Sequence, residues 1–319
     1  MAELRNIHAS PAEYWAVSAD IQSGQNVTKI GTGLHPQQEG RLIRINGVDQ
    51  KTQSGLAEIS AIVWLTPQMD GLFLDSPSVR RRFLDRMVSN FDPRHLSHTS
   101  KYDKLLRERA IILKTHRRPD ATWLDVLEGE ISALGIAISA ARQLFCDRLE
   151  QAITRLKIPD TDFPFPRVQV EGLIDDFLKN HPAVEAEAFF AAELKDSRET
   201  DRYTGGARNG THKSDFRVYH KGLGMPAENC STGEQKGLLV KLVLGQAALV
   251  KAERGFPPLL LLDDIAAHLD ERRRAILFET ILKLDCQSWM TGTDQSDFAT
   301  LKGKAQFFAI HQSRIQEQI

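Results

Sequence analysis

PPLLLLDDIAAHLDERRR, residues 257–274, decides how the chain is read. Its two prolines exclude helix just before the leucines. Leu259 to Leu262 form an apolar run without alternation, which predicts a strand buried on both faces of a mostly parallel sheet. Ligands of such sheets sit at the carboxyl ends of the strands, where Asp263 and Asp264 stand. Neighbouring strand residues point to opposite sides, so the two acids take different roles. One suits Mg²⁺, which takes one or two carboxylates plus phosphate oxygens. The other suits a water molecule. Capping of the next helix is the plain alternative for either acid.

A partner feature lies upstream. In STGEQK (231–236), Ser231 and Glu234 have capping-box spacing, so a helix is predicted to start here. That accounts for Ser231 and Glu234 but not for Gly233, which costs about 1 kcal/mol against Ala in a helix. A helix N-terminus that receives phosphate oxygens explains the glycine.

The rest of the chain places these motifs. YWAVSADIQ (14–22), NVTKIGTGL (26–34) and RLIRING (41–47) predict a small antiparallel sheet, with a tight turn at Asn46-Gly47. AIVWLTPQMD (61–70) predicts an apolar strand. Val79, Phe83, Met87 and Phe91 recur every four residues, so a helix is predicted from Pro77. KYDKLLRERAIILK predicts another. Leu127, Ile131, Leu134, Ile138, Ala141, Phe145 and Leu149 make a heptad seam of about three to four repeats. The break at 116–120 turns these two into an antiparallel hairpin, either a plain helical subdomain or a projecting arm. RVQVEGLI predicts a strand, HPAVEAEAFFAAELKDSRETDR a returning helix, and 203–220 a basic loop leading into a strand. Beyond Cys230 the pattern is α/β, ending in SWMTG and QFFAI strands.

Composition narrows the class. The chain has 319 residues, 41% hydrophobic and 26% charged, with a formal net charge of -1. Nucleic-acid binding is therefore not advertised by global charge and must be local. Cys146, Cys230 and Cys286 are widely spaced, which excludes a disulfide framework or a zinc site. GLLVKLVLGQAALV (237–250) is the most apolar run, but Lys241 and Gln246 interrupt it. MAELRNIHAS has no signal-peptide pattern, and a cytoplasmic protein is expected. The clusters Arg80–Arg82, Arg117–Arg118 and Arg202–Lys213 suit either phosphate backbones or a solvated helix face.

WLTPQ (64–68), STGEQK, LLLLDD, AAHLDE (266–271) and SWMTGTD (288–294) stand in the order of an ABC-type ATPase head. Together with CSTGEQKGLLVKLVLGQA, LLLLDDIAAHLDERRRAILFE, WLTPQMDGLFLDSPSVRRRFLDR and GTHKSDF, they resemble the RecF recombination-mediator family over essentially the whole chain. The resemblance implies an α/β fold, an ABC-type head of mixed sheet and antiparallel β-subdomain, with an inserted helical arm. Residues 1–94 and 201–319 would form the head and 95–200 the arm. It implies ATP and Mg²⁺ as ligands, an ATP-dependent homodimer, binding to single-stranded and junction DNA in recombinational repair and the SOS response, and RecO/RecR-type mediator partners. No membrane partner is implied; the long stretch between Gln68 and Ser231 argues against a transporter subunit. Gln68 would sense the γ-phosphate and metal. Asp263 would serve Mg²⁺, and Asp264 would be the hydrolytic base, with slow hydrolysis from its short side chain. Thr293 would stand nearest the switch position. Ser231 and Gly233, with Glu234 and Gln235 beside them, would meet the partner's nucleotide, and Asp270 would cross the dimer interface.

No G-x-x-x-x-G-K-[ST] phosphate loop occurs in the chain. GQNVTKIGTGL, TGEQKGL and GTHKSD lack its spacing. By the resemblance that loop belongs ahead of the antiparallel strands. The expectation is therefore a RecF lacking its first strand, phosphate loop and helix, from a reading frame that starts too late. Little nucleotide affinity in cis and an exposed apolar sheet would follow. The alternative is a truncated, non-hydrolysing scaffold that binds DNA or partner proteins. Whether the chain is an enzyme stays open on this reading: the family it resembles is a weak DNA-dependent ATPase, but this chain lacks the phosphate loop.

Overall fold

A computed structural model describes residues 15–23, 26–34, 41–50, 54–115, 120–267, 269–311 and 314–318. Its first sheet is antiparallel, in the order β1 (Trp15–Ser23), β2 (Asn26–Leu34), β3 (Arg41–Ile45) and β4 (Val48–Asp49). Asn46 and Gly47 both have positive φ, 50° and 82°, the pair that a tight hairpin turn needs. Ile43 points inward, as the alternation in RLIRI predicts. A short helix, α1 (Ser54–Ile59), leads to β5 (Ile62–Leu65).

The helices follow: α2 (Pro77–Phe91), α3 (His95–Thr115) and α4 (Ala121–Arg155). Asp120 caps α4 by accepting from the Thr122 and Trp123 amides. The predicted seam faces inward: Ile131, Phe145 and Leu149 are fully buried. The seam also splits. Leu124 to Ile138 pack into one core with α3 and α6, whereas Phe145 to Ile153 belong to a second core with α2, α8 and the sheets. One helix therefore runs through both.

Next come β6 (Pro166–Glu171), α5 (Leu173–Asn180), α6 (Ala183–Asp196), α7 (Arg198–Thr204), β7 (Asp215–His220) and β8 (Met225–Pro226). The single returning helix expected over 181–202 is two helices, because Ser197 ends α6 and begins α7. β6, β7 and β8 form an antiparallel sheet. The remaining elements are α8 (Thr232–Arg254), β9 (Leu259–Leu262), α9 (Glu271–Leu284), β10 (Ser288–Met290), β11 (Phe307–His311) and β12 (Arg314–Gln318). The last two pair as a hairpin, and the sequence reading lacked β12.

β5, β9 and β10 make a parallel sheet with β9 in the centre. Leu260 and Leu262 are buried under α8, but Leu261 is 39% exposed and Trp289 beside it 55% exposed. This corrects the expectation of a strand buried on both faces: among the described residues only one face is covered. α8 is buried along most of its length, including Lys241. The Lys241 ammonium gives all three protons away, to Ile158 O at 3.1 Å, Asp160 Oδ1 at 2.6 Å and Phe163 O at 2.7 Å.

Arg80 is neither solvated nor presented to a ligand. It is buried, and its guanidinium is bidentate to Asp215 at 2.8 and 2.7 Å. Arg81 donates to the Ser214 carbonyl. Only Arg82 of that cluster is exposed. Arg202 donates to Leu113 O at 2.8 Å, while Arg208 and Lys213 are exposed. Arg117 and Arg118 lie outside the described residues. No helix among the described residues is long and apolar enough to cross a membrane. All three cysteines are free, as their spacing predicts.

Candidate functional site

The parallel register fixes one edge. Leu65 aligns with Leu262, and Leu262 with Met290. The residues just beyond them, Thr66, Asp263 and Thr291, therefore reach the same carboxyl edge. The ladder continues there: Asp263 N–H donates to Leu65 O at 2.9 Å, and Thr291 N–H to Leu262 O at 3.0 Å. Gln68 follows on a 3₁₀ turn, Pro67–Gly71, and is exposed at that edge.

Thr291 connects the two acids. Its hydroxyl donates to Asp263 Oδ1 and accepts from the Asp264 amide at 3.1 Å, which uses one proton and one lone pair. Asp264 has φ 51°, a left-handed conformation unusual for a residue with a side chain. The kink separates its carboxyl from the strand line of Asp263. Such conformations cost about 1–3 kcal/mol and cluster at functional sites. Thr293, expected nearest the switch position, is exposed two residues on. The parallel register is what identifies Thr291, and a sequence does not state register.

The start of α8 holds the second constellation. Ser231 Oγ accepts from the Glu234 amide at 3.4 Å, while Glu234 Oε2 accepts from the Ser231 amide at 2.8 Å and from its hydroxyl at 2.7 Å. These bonds hold the Glu234 carboxyl below its ordinary range. A Cβ placed on Gly233 would meet nothing nearer than Arg273 Nη1 at 4.0 Å. No crowding among the described residues asks for glycine there. Gln235 turns inward, buried, and donates to Cys230 O at 2.9 Å; its side chain is spent on the chain itself. Asp270 caps α9 by accepting from the Arg273 amide at 2.8 Å.

The donor set at the sheet edge is two carboxylates and a hydroxyl, all oxygen. Among the described residues no group of three or more His, Cys, Asp or Glu encloses a metal. An open, hard, two-carboxylate set fits Mg²⁺, which completes its octahedron with water and phosphate oxygens. It does not fit a metal that needs a protein cage.

No family profile matches the chain. The DNA replication and repair protein RecF of Rhizobium johnstonii is 42% identical over 305 residues, covering 95% of this chain and 81% of that protein. RecF of Rhizobium meliloti is 41% identical over 303 residues, covering 94% and 80%. A solved structure of the recombination mediator protein RecF-ATP in the RecFOR pathway superposes with a TM-score of 0.84 at 22% identity, over 100% of this chain and 84% of that one. Its RecF-ATPrS counterpart gives 0.82 at 21% identity, over 97% and 82%. The fold is thus the ABC-type head of those proteins, and the identities span nearly the whole of this chain and about four fifths of its relatives. With its edge acids, capped glycine helix and parallel register, the chain belongs to the RecF family of DNA replication and repair proteins.

Proposed function

We propose that this chain is an ATP-dependent DNA-binding protein of replication and recombinational repair. Two heads would close on ATP, bind single-strand/double-strand junctions, hydrolyse slowly, and help load a recombinase with RecO/RecR-type mediators. The observation that carries this reading is the shared edge of Asp263, Asp264, Thr291 and Gln68 in a chain 42% identical to a RecF. The helical insert over 95–200 would be the arm that reaches DNA or partners.

Each residue has a part. Asp263, oriented by Thr291, would hold Mg²⁺, which when bound neutralises charge on phosphate oxygens. Asp264 would take a proton from water at its carboxylate. Gln68 would orient that water. Ser231 and the open backbone at Gly233 would donate to the γ-phosphate of a nucleotide on the opposite subunit. Asp270 would line that interface, and Thr293 would flank the edge.

Sedimentation with ATP and Mg²⁺, and anisotropy of a labelled junction duplex, test the proposal on the chain. ATP should produce a dimer and tighten junction binding by about tenfold. Asp263→Ala should abolish the Mg²⁺ dependence and slow hydrolysis by about 100-fold or more. Junction or partner binding that ignores ATP would replace this reading with the non-hydrolysing scaffold.

A further inference from the structure

We infer that Lys236 is a positioning residue that latches the glycine-bearing helix to both arms of the acid edge. The inference rests on the reading above for its functional meaning, and on geometry for its existence. Lys236 lies on α8, little more than a turn past Ser231. Its ammonium is mostly shielded, at 13% side-chain exposure. It donates to Ala267 O at 2.9 Å and stands 3.8 Å from Asp70 Oδ2. Asp70 belongs to the 3₁₀ turn of Gln68. Ala267 ends the turn that begins at Asp264, and its amide donates back to Asp264 O at 3.3 Å.

One cation therefore joins three segments, each carrying a different residue of the proposed chemistry. The connection has a consequence for a two-headed assembly. Ser231 and Gly233 would answer to the partner's nucleotide, while Gln68 and Asp264 would answer to the chain's own. A shift of α8 along its axis must stretch the bond to Ala267 or carry the Asp264 turn with it. Lys236 would thus make occupancy of one nucleotide site felt in the other. The interaction suits a lysine: a flexible stem with a three-proton head can hold a carbonyl and a carboxylate on different segments.

The test begins with the nucleotide-free chain. Hydrogen exchange of the amides in 66–71 and 264–270 is compared for wild type, Lys236→Met and Lys236→Arg. Lys236→Met should speed exchange of both segments by about fivefold or more, and Lys236→Arg should restore it. Loss of protection spread over the whole chain, unchanged exchange in either segment, or failure of Arg to rescue overturns the latch. The second arm adds ATP and Mg²⁺ to the same chain. There the Hill coefficient of hydrolysis should fall from about 2 to about 1 in Lys236→Met and recover in Lys236→Arg. A Hill coefficient that Met leaves unchanged removes the inter-site role. If wild type shows no ATP-dependent dimer, the proposed function fails, and the exchange result alone decides the latch.

Discussion

The helical insert and the acid edge treat charge in opposite ways. In the insert, Arg109 is 1% exposed, yet its guanidinium is fully employed: it donates to Glu128 at 2.8 Å, to Asp201 at 2.7 Å and to Leu194 O. Those partners lie on α4, α7 and α6, so one arginine of α3 ties four helices. Arg198 shares Glu128, and Ser197 donates to Asp201 at 2.7 Å. At the sheet edge, Asp263 is exposed and Asp264 only half-buried, with one hydroxyl between them and a left-handed backbone at Asp264. Charges that the chain neutralises itself hold the fold together. Charges at the kinked strand end are left facing solvent.

Breaking the insert should cost the most. Arg109→Met leaves Glu128 to Arg198 alone and Asp201 to the Ser197 hydroxyl and the Arg208 amide, and should lower the unfolding free energy by about 3 kcal/mol in urea melts. A loss below 1 kcal/mol would remove the contrast between the two regions.

The pH response should come from the same side of the molecule. His212 donates from Nε2 to Ala207 O at 3.0 Å and accepts at Nδ1 from the Tyr102 hydroxyl at 3.0 Å. Burial pushes its pKa down to about 4, from an ordinary 6.5. The unfolded chain therefore binds the proton first. Stability from this group is full well above pH 6.5 and falls toward pH 4, by about 3 kcal/mol. His212→Gln should flatten that slope in melts taken from pH 7 to pH 4.5. An equally steep profile in the variant assigns the response to other groups.

Smaller effects sharpen the edge side. Ser231→Ala loses the cap of α8 and should lower stability by about 1 kcal/mol. Thermal midpoints check it, and a cost several times larger would make Ser231 chiefly structural. Asp264→Asn keeps a side chain that tolerates the left-handed conformation, so stability should move by less than about 0.5 kcal/mol. Hydrolysis should nonetheless slow while ATP binding persists.

What the sequence made legible was local. The heptad in α4, the capping box at Ser231, the Asn46-Gly47 turn and the apolar run of β9 each carry their signal within a few residues. What it hid was non-local. Arg80 reads as one of three surface arginines until Asp215, from a distant strand, comes to meet it. Leu261 reads as core because a run of four leucines has no alternation to betray the open face. Thr291 rather than Thr293 meets the acids because of how β10 aligns with β9, and only pairing reveals that. Gln235 looks like a ligand in a motif and is a bracket for Cys230.

The length of α4 has a mechanical meaning. At 35 residues it is a rod of about 50 Å. Its last turns are clamped in the core beneath the parallel sheet, and its first turns carry the core of the insert. No loop interrupts it, so the two ends have no pivot of their own. A tilt of about 5° at the clamped end swings the far end by about 4 Å along such a rod. Such a helix carries a small rotation at one core into a larger displacement at the other.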